Sequence, residues 1–246
     1  MILLLLGCAD FLAIAEAFDD LTNPLVVQAS YLGVEPLPEG LDLGENTWAN
    51  GGAAHVLMAD AGSVDDLENA PITDASVVLE GPGTTVPMRS DAAGSWVADG
   101  TDGLAWSPGD DASVTVTRDG EHSLTLTTPE APDLDIPEQI ASGDVLIIDL
   151  EGQEFDNVLV TVVRLADGVT VYDSTPTDIT ALYKLTHSAG ELTTEVPGSV
   201  FSEPGAYAVG VAGLVNADPE EYEGVNLALS ALTGGSLQFA GLAVGP

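Results

Sequence analysis

Hydrophobic and polar residues alternate with a period of two along most of the chain after residue 20, and clusters of Gly, Pro, Asn and Asp separate the alternating runs. Such alternation is typical of half-buried β-strands, because successive side chains of a strand point to opposite faces of its sheet. In the run 112–120, for example, Val114 and Val116 are expected on the buried face and the intervening Ser and Thr residues on the other. Beyond residue 20 no run offers a convincing amphipathic helix, so the pattern predicts an all-β protein.

Six strands are predicted in the first half of the chain and seven in the second. The predicted strands are residues 24–33, 53–60, 75–81, 94–100, 112–120 and 122–128, then 144–152, 157–165, 180–187, 190–196, 205–214, 225–233 and 236–244. Asp119-Gly120 lies between two of these runs and predicts a β-hairpin. Seven short strands separated by turns suggest a β-sandwich in the second half.

Two strands of the second half are expected to cover a common core, since each carries apolar residues at every other position. These residues are Leu146, Ile148 and Leu150 on one strand, and Tyr207, Val209 and Val211 on the other.

A segment with three prolines and four carboxylates separates the two sets of strands at 127–139. Proline has no backbone N–H to donate to a sheet, and like charges extend a chain, so we expect an extended acidic linker. The resulting interpretation is two β-sandwich domains in tandem after an N-terminal signal segment. The predicted boundaries are a signal and tether at 1–20, a first sandwich at 21–130, the linker at 131–139 and a second sandwich at 140–246.

Local motifs in the two halves resemble known sandwich families. The runs "ASVVLEGPG", "RSDAAGSWVADG" and "GDDASVTVTRDG" resemble the carboxypeptidase-regulatory or transthyretin-like sandwich, whose T-D-x-x-G-x-Y hairpin corresponds to residues 90–96. The run "PGAYAV" at 204–209 resembles the start of strand F in immunoglobulin-like and PKD-like domains, where the tyrosine hydroxyl ties down the preceding corner. These resemblances imply an architecture and name no ligand.

The apolar run 2–6 leads to the single cysteine of the chain, Cys8. The motif Leu5-Leu6-Gly7-Cys8 resembles the lipobox of bacterial lipoproteins, in which the cysteine is acylated and becomes the first residue of the mature protein. This resemblance implies export, a lipid anchor on Cys8 and, because the next residue is not Asp, sorting to the outer membrane.

Three other readings of the N-terminus remain open. A signal peptidase could cleave after Ala15-Glu16-Ala17, although Asp10 would then interrupt the apolar region. Residues 8–18 could instead form an amphipathic helix that docks on the first sandwich. Finally, Cys8 could be an ordinary buried thiol.

The chain carries 40 acidic and only 4 basic residues, a formal net charge of −36. A charge of this size repels nucleic-acid phosphates, so nucleic acid is excluded as a partner. The 45% of hydrophobic residues nevertheless suffices for a folded core. With one cysteine, no intramolecular disulfide can form.

Motifs for catalysis are missing from the sequence. His55, His122 and His187 form no zinc motif, and the chain has no nucleophile elbow, Walker loop or dinucleotide fingerprint. We therefore predict a non-catalytic protein.

Clustered carboxylates are the ligands that Ca²⁺ prefers, and the chain offers several clusters. The first candidate is Asp133 with Asp135, where a cation would stiffen the linker. A weaker candidate set follows in the second half: Asp218, Glu220, Glu221 and Glu223. Apart from this optional calcium, no cofactor is expected.

The leading hypothesis is an acidic, non-catalytic lipoprotein of the cell envelope that binds or spaces a protein or polysaccharide partner. The alternative is a secreted, carbohydrate-active hydrolase with its site in a cleft between the two sandwiches. Such a site would need a carboxylate pair and an aromatic platform from Trp48, Trp96 or Trp106, although tryptophans in these modules are more often core residues.

Overall fold

The computed structural model of the chain describes residues 23–38, 51–61, 70–176 and 179–246. In these ranges it contains sixteen β-strands and one α-helix, α1 (Ile179–His187), so the all-β prediction is confirmed. The strands are β1 (Leu25–Val34), β2 (Gly51–Asp60), β3 (Ser76–Gly81), β4 (Thr84–Pro87), β5 (Arg89–Ala92), β6 (Ser95–Asp99), β7 (Asp111–Thr117), β8 (Glu121–Thr127), β9 (Gln139–Ala141), β10 (Leu146–Asp149), β11 (Asn157–Arg164), β12 (Val169–Asp173), β13 (Thr193–Val196), β14 (Gly205–Asn216), β15 (Tyr222–Glu223) and β16 (Ala231–Gly245).

The described strands form three sheets. The largest has nine strands in the order β12-β11-β14-β16-β1-β2-β6-β5, with β9 beside the end of β16. A five-stranded sheet, β15-β8-β7-β3-β4, covers the β1-β2-β6 part of the large sheet, and a two-stranded sheet, β10-β13, covers the β11-β14 part. Each pair of facing sheets encloses a hydrophobic core, and we call the two units the first and second sandwich.

The core of the first sandwich contains the residues that the alternation placed there. Val114, Val116 and Leu124 are completely buried, and β7 and β8 form the hairpin expected at Asp119-Gly120. Asp119 adopts a left-handed conformation with φ of 54°, which this turn requires. Four residues from the C-terminal part of the chain also belong to this core: Ala217, Tyr222, Val225 and Leu232.

The core of the second sandwich brings together the two sets of alternating residues predicted to share it: Leu146, Ile148 and Leu150 from β10 and its end, and Tyr207, Val209 and Val211 from β14. The Tyr207 hydroxyl donates a hydrogen bond of 2.8 Å to the carbonyl of Glu203, four residues earlier. The corner before β14 is therefore held as the resemblance to strand F implied.

The two sandwiches share the large sheet, because β1 and β16 pair in parallel. Their register runs from Gln28 opposite Ala231 to Val34 opposite Leu237. Strand β16 also pairs antiparallel with β14 over twelve positions, and β9 takes the place of β1 beside its last residues. One strand of fifteen residues thus contributes to both sandwiches. The domain boundaries drawn at 131–139 remain a prediction.

The sequence predicts two strands, 225–233 and 236–244, separated by Gly234-Gly235, and this prediction is wrong. Residues 225–230 contain a turn at 227–229 and no strand, and a single strand, β16, runs through both glycines. The glycines serve close packing: a Cβ on Gly234 would lie 2.6 Å from Leu126 Cδ1, and one on Gly235 would lie 2.5 Å from Leu214 Cδ2.

The predicted strand 180–187 is also wrong, since these residues lie in α1. The helix packs on the back of the large sheet, where Leu185 and Tyr183 contact two small apolar clusters. Ile179, Leu182, Tyr183 and Thr186 have the spacing of one helical face in the sequence, but the run also alternates, so periodicity alone is ambiguous there.

The segment between β8 and β9 has no regular secondary structure, but it is attached to the second sandwich. Leu134 and Ile136 pack against the second core, whereas Asp133 and Asp135 are exposed. The apolar residues of this segment are thus partly buried, while its aspartates face solvent.

Candidate functional site

The residues proposed for lipid and calcium binding have different positions in the structure. Cys8 lies outside the described residues. Asp133 and Asp135 are exposed on the outer side of the linker segment. Nowhere in the described part of the chain do three or more His, Cys, Asp or Glu side chains come close enough to hold a metal ion. Calcium binding at the linker stays a prediction.

The weaker calcium candidates surround a short 3-10 helix, Pro219–Glu221. The Asp218 carboxylate caps this helix by accepting a hydrogen bond of 3.0 Å from the Glu220 backbone N–H. Glu220 and Glu223 are exposed, and the side chain of Glu221 lies outside what the structure describes. The position of Asp218 is thus explained by helix capping without a cation.

His55 belongs to a chain of hydrogen bonds that contains a serine and an aspartate. The Ser95 hydroxyl donates to Asp91 Oδ1 at 2.5 Å, and His55 Nε2 lies 2.9 Å from Ser95 Oγ. Since the hydroxyl proton points to Asp91, the imidazole can only donate to the serine oxygen. A serine nucleophile needs the opposite arrangement, with histidine as the proton acceptor, so this trio does not form a catalytic triad.

The His187 ring lies at the end of α1 between two backbone carbonyls. Its Nδ1 is 3.0 Å from the Tyr183 carbonyl oxygen, and its Nε2 is 3.1 Å from that of Ser230. Burial lowers the pKa of His187 and outweighs the two carbonyls, which favour the protonated ring. The ring also stacks on Tyr183, with 3.9 Å between centroids, and therefore serves to attach α1 to the sheet.

The tryptophans in the described region belong to the first core. Trp96 is buried, and Trp106 packs against Tyr31 with a centroid distance of 4.8 Å. Trp48 lies outside the described residues. The expectation that these tryptophans belong to the core is confirmed for Trp96, whereas Trp106 is half-buried and packs against the same core.

All three arginines are held between pairs of carboxylates. Each guanidinium lies within 3.3 Å of two acidic side chains: Arg89 of Asp99 and Asp102, Arg118 of Asp60 and Asp74, and Arg164 of Asp167 and Glu203. These exposed pairs contribute little to stability. They do neutralise the arginines, so the surface of the described part of the molecule is dominated by carboxylates.

A cleft of about 540 Å³ lies between the two sandwiches. One wall is formed by residues 127–131, which leave the end of β8, and the other by residues 153–155 in the turn between β10 and β11. Val215 of β14 also lines it. We call this feature the inter-sandwich cleft.

Hydrogen bonds fix the first wall of the inter-sandwich cleft to the first sandwich. Thr128 is buried, and its hydroxyl lies 2.6 Å from the Ser107 carbonyl and 2.9 Å from that of Asp110. Its backbone N–H also donates to the Asp110 carbonyl, and its carbonyl accepts from Gly109. These hydrogen bonds therefore hold the first wall in place at Thr128.

The second wall is fixed to β14 and linked to the first. The Asp156 backbone N–H donates to the Leu214 carbonyl, and the Asp156 carboxylate accepts from the Asn216 N–H at 2.8 Å. The Gln153 side chain makes a reciprocal pair with the backbone of Asp133: its oxygen accepts from the N–H and its amide donates to the carbonyl, both at 2.9 Å. Gln153 thereby links the linker segment to this turn beside the cleft.

The lining of the inter-sandwich cleft combines apolar and anionic groups. Pro129, Phe155 and Val215 provide apolar surface, and the exposed residues Glu130 and Glu154 contribute one carboxylate from each wall. The Phe155 ring is held close to Gly213, where a Cβ would lie 2.5 Å from its ring atoms. This arrangement suits a ligand with a positive charge and an apolar body.

Two other clefts are less suited to binding a ligand, because their basic side chains already have partners. One, of about 550 Å³, lies beside Arg118 and His122, but Asp60 and Asp74 already neutralise the guanidinium. The other, of about 360 Å³, lies beside His187, whose ring nitrogens both contact carbonyl oxygens.

Sequence reasoning missed Gln153, Phe155 and the walls of the cleft. The turn containing these residues carries no motif, and its acidic residues resemble the other solvated carboxylates of the chain. Only the proline-rich composition of 127–139 pointed to this region.

The sequence matches no known protein-family profile and none of the curated proteins. Among solved structures, the chain is similar to a two-domain fibronectin type III segment of chicken tenascin, with 10% identity over 74% of this chain and 90% of that one, and a TM-score of 0.26. It is similar to the FN1–FN3 domains of chicken CNTN1, with 10% identity, coverage of 89% and 63%, and a TM-score of 0.28. A third similarity is to Tp47, the 47-kilodalton lipoprotein of Treponema pallidum, with 11% identity, coverage of 87% and 50%, and a TM-score of 0.33.

The sandwich fold of this chain therefore rests on its own strand pairing and cores. As to the membrane, none of the helices in the described ranges has the length and apolar character that a membrane span requires.

Proposed function

We propose that this protein is an exported, non-catalytic module that is anchored in the cell envelope through Cys8 and acts as a rigid acidic spacer or binding unit. The observation that carries the spacer role is the parallel pairing of β1 with β16, which unites the two sandwiches through one sheet. A spacer must keep its length under thermal motion. Backbone hydrogen bonds across a shared sheet resist bending better than a flexible peptide between two domains.

The surface charge disfavours binding to nucleic acid and to anionic lipid headgroups. With a net charge of −36, the body of the protein is repelled by both, so it would stand off a bilayer to which Cys8 is attached. A protein or polysaccharide with cationic groups is the kind of partner that such a surface attracts.

Mass spectrometry of the protein from native membranes tests the anchor. The expected result is acyl groups on Cys8, with the residues before it removed, and release of the protein into the soluble fraction after Cys8→Ser. Cys8→Ser leaves the acidic body unchanged and so isolates the anchor. An intact N-terminus with an unmodified thiol in native membranes would overturn the anchoring part of the proposal.

A carbohydrate-active hydrolase is the second candidate. It is favoured by one specific observation, the presence of Glu130 and Glu154 on opposite walls of the inter-sandwich cleft. Glycoside hydrolysis uses two carboxylates, one on each side of the scissile bond. Trp96 and Trp106 do not contribute the aromatic platform expected for such a site.

Release of reducing sugar from a panel of polysaccharides tests this second candidate. Glu130→Gln and Glu154→Gln should each abolish the release, whereas Glu195→Gln on the exposed face of β13 should not change it. No release by the unaltered protein, or equal release by all three variants, would reject the hydrolase.

A further inference from the structure

The inter-sandwich cleft has the size of a small-molecule site and is formed before any ligand arrives. Its volume of about 540 Å³ lies within the roughly 300–1,000 Å³ of known small-molecule pockets. Thr128 holds one wall, Asp156 holds the other, and Gln153 links the linker segment to the second wall. A ligand therefore needs to order little of the protein when it binds.

The ionisable groups that line the cleft are all acidic. Glu130 and Glu154 stand on its two walls, and its described lining residues include no lysine, arginine or histidine. The arginines elsewhere in the described chain are already paired with carboxylates and offer no competing charge. A cation in the cleft would therefore be attracted by two carboxylates without a nearby protein cation to replace.

The apolar lining favours an organic cation over a metal ion. Pro129, Ala131, Phe155 and Val215 offer hydrocarbon surface that a hydrated metal ion cannot use. An ammonium group with alkyl substituents can bury these substituents, while its charge is attracted by the Phe155 ring and the carboxylates. A ligand that also carries a phosphate would be repelled by the −36 charge of the chain.

We infer that the inter-sandwich cleft binds a small organic ammonium ion of about the size of choline. This inference rests on the cleft alone and is independent of export, anchoring and the spacer role. The charge of the ligand is recognised by Glu130 and Glu154, and its alkyl groups by Phe155 and its apolar neighbours.

Calorimetric and NMR titrations of the full chain with three probes test the inference. Choline is expected to bind and to shift the backbone amide signals of 127–131 and 153–155. Its neutral isostere, 3,3-dimethylbutanol, lacks the charge and is expected to bind at least about fivefold more weakly. Its phosphate ester, phosphocholine, keeps the ammonium group but adds a phosphate that the acidic chain repels, and it is expected to bind more weakly by at least the same factor. Equal binding of choline and 3,3-dimethylbutanol would overturn the role of charge.

Variants separate the cleft from the general attraction of an acidic surface. Glu130→Gln, Glu154→Gln and Phe155→Leu should each weaken choline binding by about two- to fivefold. Glu195→Gln removes an exposed carboxylate of β13 outside the cleft lining and should leave binding unchanged. Because Phe155 also packs against the second core, its variant is interpreted only if its unfolding midpoint matches that of the parent protein. If the midpoint is lower, the two glutamate variants alone decide the test. Equal weakening in all four variants, or signal shifts spread over the whole surface, would show ion-atmosphere binding and reject the site.

Discussion

Tyr207 shows how one side chain can hold a corner of this fold. Its ring is buried in the second core against Phe201, and its hydroxyl reaches the Glu203 carbonyl. The same corner carries the ion pair between Glu203 and Arg164 on the surface. A hydrogen bond made inside the protein is worth more to stability than an exposed ion pair, so the hydroxyl should dominate.

Removing this hydroxyl with Tyr207→Phe should lower the free energy of unfolding by about 1 kcal/mol, because a carbonyl loses its buried donor. Urea denaturation measures the change. Tyr172→Phe is the matched control, since Tyr172 is half-buried and its hydroxyl makes no hydrogen bond with the described residues. Equal effects of the two variants would contradict the corner's role.

His187 gives the stability of the protein a dependence on pH. Its pKa in the folded protein is lowered by burial, so the unfolded chain binds a proton more readily than the folded one near the usual value of about 6.5. The neutral ring therefore stabilises the fold above that pH, and this stabilisation is lost as the pH falls below it.

Urea denaturation at pH 7.5 and 5.5 measures this dependence. The difference in unfolding free energy between the parent and His187→Gln should shrink at the lower pH, and the comparison cancels the titration of the carboxylates that both proteins share. A difference that is constant, or that grows at pH 5.5, would show that His187 does not attach α1 in its neutral form.

Among the elements, the long interior strands were the most predictable from the sequence. Strands β2, β7 and β8 follow clear alternation because one face of each packs on a core. Strands β1, β11 and β14 are buried on both faces and were recognisable as largely apolar runs between turn residues. The short strands β4, β5, β9, β12 and β15 were missed. Strand β5, for instance, is exposed at all four positions, so no burial pattern marks it in the sequence.

The junction of the two sandwiches could not be predicted from local pattern. Pairing of β1 with β16 joins residues about 200 positions apart, and Gly234-Gly235 looks like a turn until the neighbouring side chains are known. The inter-sandwich cleft depends on this junction and on Gln153, so it could not be predicted from the sequence either. What the sequence did indicate was a proline-rich acidic segment between two sets of strands.

Two glycines of β16 provide a matched test of the junction. Gly234→Ala should destabilise the protein by about 1–3 kcal/mol, because the new methyl group would overlap Leu126 and crowd Pro129. Gly241→Ala, on the exposed part of the same strand, has open space around it and should change stability by no more than about 0.5 kcal/mol. Chemical denaturation measures both. Similar effects of the two substitutions would mean that the close approach at Gly234 is not tight.

For the whole molecule, charge is the dominant external variable. A net charge of −36 with the arginines of the described region already paired leaves strong self-repulsion in the folded state. Salt should relieve it, since the screening length falls from about 30 Å at 0.01 M to about 3 Å at 1 M.

The melting temperature should therefore rise between 0.01 M and 1 M NaCl, and by the same amount in KCl if screening is the cause. Differential scanning calorimetry measures both series. A melting temperature that stays constant or falls with salt would contradict self-repulsion as a major destabilising force, and a rise in only one salt would indicate a specific ion site.

The central claim is that the shared sheet makes the two sandwiches one rigid body, and pulsed electron paramagnetic resonance tests it most directly. Spin labels at Thr85→Cys in β4 and Thr170→Cys in β12 place one probe on each sandwich, in a Cys8→Ser background that removes the native thiol. The shared sheet predicts a single narrow distribution of distances that does not change between low and high salt. A broad or two-peaked distribution would contradict it, because it would mean that the sandwiches move independently.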